Sequence, residues 1–102
     1  MKERILYEEC VRLYKVDISF LEALEESELL HPEKENNIKY IIYEELSQLE
    51  RFMNWHYDLD VNLPGIEVMH HLLEKVETLQ RKNEELLRKL SYDSDDFFEY
   101  DS

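Results

Sequence analysis

The chain has 102 residues, with 25 Asp and Glu against 12 Lys and Arg, a formal charge of −13. That length suits one domain with tails and one modest core. So acidic a balance opposes binding to phosphate backbones, whose affinity comes largely from Lys and Arg displacing counterions, and points to basic partners. One Gly and two Pro argue against a loop-rich or all-β architecture. The chain carries no long apolar run and no apolar leader at Met1, so a soluble, cytoplasmic protein is expected, with no membrane association.

Ile5 and Leu6 make a short apolar start, and Glu8 to Tyr14 carries Cys10, Val11 and Tyr14 at helical spacing, which predicts a first helix. Cys10 is the only cysteine, which excludes a disulfide framework and a thiolate metal cluster and places it in the core. Asp17 stands as an N-cap before I-S-F-L-E-A-L-E-E-S-E-L-L, where Phe20, Leu21, Leu24 and Leu29 offer one apolar face and Glu22, Glu25 and Glu26 lie away from it. Two short helices joined tightly make a helix-turn-helix unit.

Pro32 stops the helix, and in P-E-K-E-N-N both Asn36 and Asn37 tolerate left-handed backbone. Ile38 to Tyr43 is β-branched and aromatic, so a small hairpin, or wing, is expected here. A third helix follows from Glu44 to near Leu59, with Leu46, Leu49, Met53, His56 and Tyr57 on one stripe and Phe52 beside it.

The last helix starts at Asn62, an N-cap, with Pro64 in the first turn, where a missing N–H costs nothing. Met69, Val76, Asn83 and Leu90 then fall at a positions of a heptad, and Leu72, Leu79 and Leu86 at d. Leu73 and Leu87 at e widen the stripe, and an a-position Asn83 fixes register at some cost in stability. This seam predicts a homodimer of unspecified strand direction. Ser91 to Ser102 holds five acids, no base and four aromatics, and is expected to lack fixed structure in isolation.

Catalysis and metal binding lack motifs. His70 and His71 are neighbours rather than an i, i+4 pair, and His31 and His56 complete no ligand set. Gly65 is the only glycine, so there is no phosphate loop, and no nucleophile sits in a recognisable turn motif. No cofactor, no metal and no enzymatic activity are expected.

The element order and the stretch V-D-I-S-F-L-E-A-L-E-E-S-E-L-L-H-P, Val16 to Pro32, resemble the DNA-binding half of MerR-type regulators. The fold this implies is mainly α, a MerR-like winged helix-turn-helix of two short helices, a small β wing and a third helix over residues 1–60. A long dimerising helix over 61–90 and an acidic tail over 91–102 would follow it. Where that family typically offers Arg and Tyr to DNA, this chain has Glu22 and Ala23, and Glu28 stands at its usual turn glycine. From Asp17 to Leu30 there are five acids and no base.

The later run H-Y-D-L-D-V-N-L-P-G-I, His56 to Ile66, with the helix behind it, resembles the CbpM chaperone modulators, small proteins of MerR-like plan. That resemblance, over roughly Ile5 to Leu90, implies binding to the J-domain of a DnaJ-like, curved-DNA-binding co-chaperone and inhibition of its co-chaperone and DNA-binding activities. The alternative is a MerR-type transcriptional regulator that binds DNA as a dimer. From charge and helix position, the partner-binding candidates are Glu22, Glu25, Glu26, Glu28, Trp55, Tyr57 and Asp58, with Tyr40 as a further aromatic. The dimerisation candidates are Met69, Leu72, Val76, Leu79, Asn83, Leu86 and Leu90.

Overall fold

The computed structural model describes residues 3–93, of which 92 and 93 are described by backbone only. The expected acidic tail therefore lies, beyond residue 93, outside the described residues. The elements run β1 (Arg4–Leu6), α1 (Tyr7–Tyr14), α2 (Ile18–Glu26), β2 (Glu33–Glu35), β3 (Ile38–Ile42), a 3-10 turn (Tyr43–Glu45), α3 (Leu46–Met53), a π-helical turn (Asn54–Asp58) and α4 (Leu63–Asp93). The chain divides into two compact units, Met1–Val68 and Met69–Ser102.

In the first unit, α1 ends on Lys15 in the left-handed conformation, φ 56°, which turns the chain within three residues into α2. Asp17 occupies the N-cap position of α2 as expected, but its side chain makes no cap bond. Its carboxylate instead accepts the Tyr57 hydroxyl at 3.1 Å, and its own N–H donates to that hydroxyl at 3.1 Å. The apolar face Phe20, Leu21, Leu24 and Leu29 is buried as the spacing predicts.

The end of α2 explains an odd residue. Glu28 lies at φ 61°, with its N–H on the Glu25 carbonyl (3.0 Å) and the Leu29 N–H on the Leu24 carbonyl (2.9 Å). Those two bonds form a Schellman cap, whose left-handed position suits glycine because a Cβ there crowds the backbone. Glu28→Gly is therefore expected to raise stability by about 1 kcal/mol in urea denaturation. A loss of stability would show that the glutamate side chain contributes more than its backbone costs.

Asn36 and Asn37, at φ 53° and 66°, form a two-residue turn of type I′ between β2 and β3. The wing is larger than a hairpin: Ile5 and Leu6 belong to a third strand, and the antiparallel sheet has the order β1-β3-β2. Arg4 pairs with Ile42 and Leu6 with Tyr40. Arg4 crosses the sheet, its guanidinium 3.9 Å from the Tyr40 ring centroid and bonded to Glu33 (3.0 Å) and Glu35 (2.6 Å).

The expected third helix is interrupted. Its α-helical part stops at Met53, and Asn54–Asp58 makes a wider turn in which the Leu59 N–H reaches the Asn54 carbonyl at 3.2 Å. The extra residue per turn shifts the phase of the stripe. Leu49 and Phe52 are fully buried, whereas Tyr57 is 45% exposed.

The α4 start behaves as the sequence predicts. The Asn62 Oδ1 accepts the Gly65 N–H at 2.9 Å, and Ile66 is fully buried in the core of the first unit. A Cβ on Gly65 would come within 2.7 Å of Val61 Cγ1, so a larger residue there would force the Val61 side chain to shift. That core gathers residues such as Tyr7 and Cys10 of α1, Leu21 and Leu24 of α2, Ile41 of β3, and Leu49 and Phe52 of α3.

In the second unit, α4 runs unbroken to Asp93, past the expected end near Leu90. Leu72, Val76, Leu79, Leu86, Leu87 and Leu90 are all exposed.

Candidate functional site

The acidic side chains on and just past α2 do not behave alike. Glu22, Glu26 and Glu28 are exposed, whereas Glu25 turns toward the wing. Its Oε1 accepts the Lys39 Nζ of β3 at 2.8 Å and the Tyr7 hydroxyl of α1 at 3.2 Å. Glu25 is thus a tie among α1, α2 and the sheet, rather than an open contact of the kind the charge pattern suggested. The Lys39 ammonium holds the Glu25 carboxyl below the usual carboxylate range, and Glu25 in turn raises the Lys39 pKa. Burial, with Glu25 nearby, pushes the Tyr7 phenol well above its usual value.

A depressed carboxyl pKa stabilises the fold above the unfolded value and loses that contribution as pH falls through the folded one. A raised Lys pKa does the reverse at the alkaline end, so the pair acts between these limits. Lys39→Met is expected to cost about 0.5 kcal/mol at neutral pH, a typical value for a partly exposed pair. The cost should shrink as pH falls through the depressed Glu25 carboxyl, as followed by urea denaturation at neutral and at acid pH. An equal cost at both would assign the effect to packing.

The wing supplies little compensating charge. Lys39 is committed to Glu25, which leaves Lys34, exposed on β2, against the exposed Glu22 and Glu26 of α2 in the charge balance. Pressing this face on a phosphate backbone would bring like charges together.

The aromatic candidates separate. Trp55 is half-buried against the core, its ring centroid 6.0 Å from that of Phe52. Tyr40 lies under Arg4. Tyr57 is exposed on one face, packs edge-on to Phe20 at 5.6 Å, and its hydroxyl holds the start of α2 through Asp17. His56 stacks on Phe20 at 4.4 Å and donates its Nδ1–H to the Val61 carbonyl at 2.9 Å. The π-helical turn is thus a clasp across the foot of α2. Tyr57 and exposed Asp58 also border an open groove of about 510 Å³ with Tyr14, Lys15, Glu50 and Met53.

Sequence reasoning missed a second depression. Leu6, Tyr7, Ile18, Glu22, Ile38 and Lys39 line a cleft of about 400 Å³ between α2 and the wing. Ile18 and Ile38 on its lips are 45% and 46% exposed. The available signal was that both stand outside the periodic apolar face, beside polar neighbours.

The dimerisation candidates lie on α4. Leu72, Val76, Leu79, Asn83, Leu86 and Leu90 are exposed, and Met69 is half-buried. Among the described residues no group of three or more His, Cys, Asp and Glu is placed to hold a metal ion. No described helix is long and apolar enough to cross a membrane.

Two short helices in tandem, a three-stranded wing and a third helix define a winged helix-turn-helix protein. The chain belongs to the MerR HTH family of regulatory proteins, whose family model it matches over residues 5–88. No curated protein and no solved structure matches it.

Proposed function

We propose that this protein is a chaperone modulator, which binds the J-domain of a DnaJ-like, curved-DNA-binding co-chaperone and inhibits its co-chaperone and DNA-binding activities. The observation that carries this reading is the charge of α2. Glu22 and Glu26 are exposed on the helix that DNA-binding members of the fold turn toward phosphate, Glu28 is exposed just past its end, and the nearest wing lysine is already paired with Glu25. A basic helix of a J-domain is complementary to that face, which favours rapid and selective association. The exposed seam of α4 supports a homodimer, with Asn83 setting the register.

Calorimetric titration with a J-domain tests the reading. Glu22→Lys with Glu26→Lys is expected to weaken binding about tenfold or more, as loss and reversal of interface charges do. The fold should survive, because both side chains are exposed. Glu25 is left intact in this variant, since its removal would also break the tie to Lys39 and Tyr7. Unchanged affinity would place the contact elsewhere.

A second reading is favoured by the family match itself: a dimeric MerR-type transcriptional regulator. It requires salt-dependent binding to a DNA duplex, which the acidic α2 opposes.

A further inference from the structure

A charged face gives association rate and selectivity, but affinity needs apolar side chains leaving water. The cleft between α2 and the wing offers that burial. Ile18, the first residue of α2, and Ile38, the first of β3, stand on opposite lips with nearly half of each surface in water. The buried Tyr7 and the half-buried Leu6 contribute to the lining, and the cleft of about 400 Å³ has room for one or two side chains.

Its charge is one-sided. Glu8 and Glu22 both line it, whereas the ammonium of Lys39, the one base in the lining, is held by Glu25 at 2.8 Å. The outer acids Glu26 and Glu28 extend the same sign along α2 and past its end. An apolar cleft with an acidic rim is complementary to an amphipathic helix that carries Lys or Arg beside its apolar residues.

We propose that the cleft between α2 and the wing is the anchor point for the partner. It takes a Leu, Ile or Met side chain from a basic amphipathic helix, while flanking Lys or Arg residues meet Glu8 and Glu22. The inference rests on the J-domain reading for the identity of the partner, but the cleft's preference for a basic amphipathic helix is separable from it. Ile18 and Ile38 are then specificity-determining contacts, and the Glu25–Lys39 pair is a positioning element that silences the one cation in the cleft lining.

The test uses the full chain and two probes: a J-domain, and a synthetic Leu/Lys amphipathic peptide with its Leu→Ser counterpart. Amide NMR shifts on adding either binding probe should cluster at residues 18–22 and 37–39. Ile38→Ser should weaken binding about tenfold, in keeping with the loss of a buried aliphatic side chain. The Leu→Ser peptide should bind weakly to the unaltered protein and be indifferent to Ile38→Ser. Shifts that cluster instead at residues 50–58 or along α4 would overturn the proposal, and they are read on the unaltered protein, so the outcome does not depend on the variant folding. If the J-domain binds but Ile38→Ser has no effect, the anchor is wrong while the J-domain reading stands. If the peptide binds in the cleft and the J-domain does not, the anchor stands and the J-domain reading fails.

Discussion

Replacing Phe52 by alanine is expected to cost about 3–5 kcal/mol, the range for removing a buried aromatic ring. Phe52 is fully buried where α3 passes into the π-helical turn, with Trp55 packed against it. The core to which Phe52 belongs draws on several elements, with Leu49 on α3, Leu21 and Leu24 on α2, and Ile66 on α4. Each is fixed by its own backbone bonds, so the cavity should remain largely open. Domains are stable by only about 5–15 kcal/mol, so the variant should lose a large fraction of its stability. Urea denaturation followed by circular dichroism gives the value. A loss below about 1 kcal/mol would mean that Phe52 is not part of the core.

The second large effect concerns self-association. Leu72 and Leu79 are 57% and 64% exposed, on a helix whose d positions they occupy. In a dimer each would enter a hole between residues of the facing helix. Leu72→Glu with Leu79→Glu replaces that burial by carboxylates on both chains, at about 1.5–3 kcal/mol for each leucine left unburied. Dimer affinity should therefore fall by more than about 100-fold, and sedimentation velocity should show a monomer that keeps its helical content. Identical sedimentation of the two proteins would remove the dimer from the description. Asn83→Leu should act in the opposite sense, tightening association while relaxing register.

Much of the fold was legible because its signals were local. The buried face of α2 follows from the spacing of Phe20, Leu21 and Leu24, and the wing turn from Asn36 and Asn37. Asn62 caps α4 in the expected way because its cap bond, to Gly65, spans only three residues. What escaped depended on distant partners. β1 has three residues, too few for a period, and is a strand only because β3 lies beside it. Asp17 stands in the N-cap position yet gives its carboxylate to Tyr57, forty residues away. The π-helical turn has no compositional mark, and it sets which of Trp55, His56 and Tyr57 face inward.

The candidate site divided along the same line. Exposure of Glu22 and Glu26 follows from their positions off the apolar face. Glu25 satisfies the same rule and is nonetheless bound to Lys39 and Tyr7, since the sheet brings a lysine from fourteen residues away. Ile18 and Ile38 come together across the cleft only through the docking of the wing on α2, which periodicity cannot express.

We propose that this winged helix-turn-helix head meets a basic protein surface rather than DNA. Side-by-side titrations of the full chain with a J-domain and with a DNA duplex, at low and at physiological salt, test it most directly. The expected result is saturable binding to the J-domain that weakens as salt rises, with no binding to the duplex at physiological salt. Saturable, salt-dependent binding to the duplex without binding to the J-domain would contradict it and establish the DNA-binding regulator in its place.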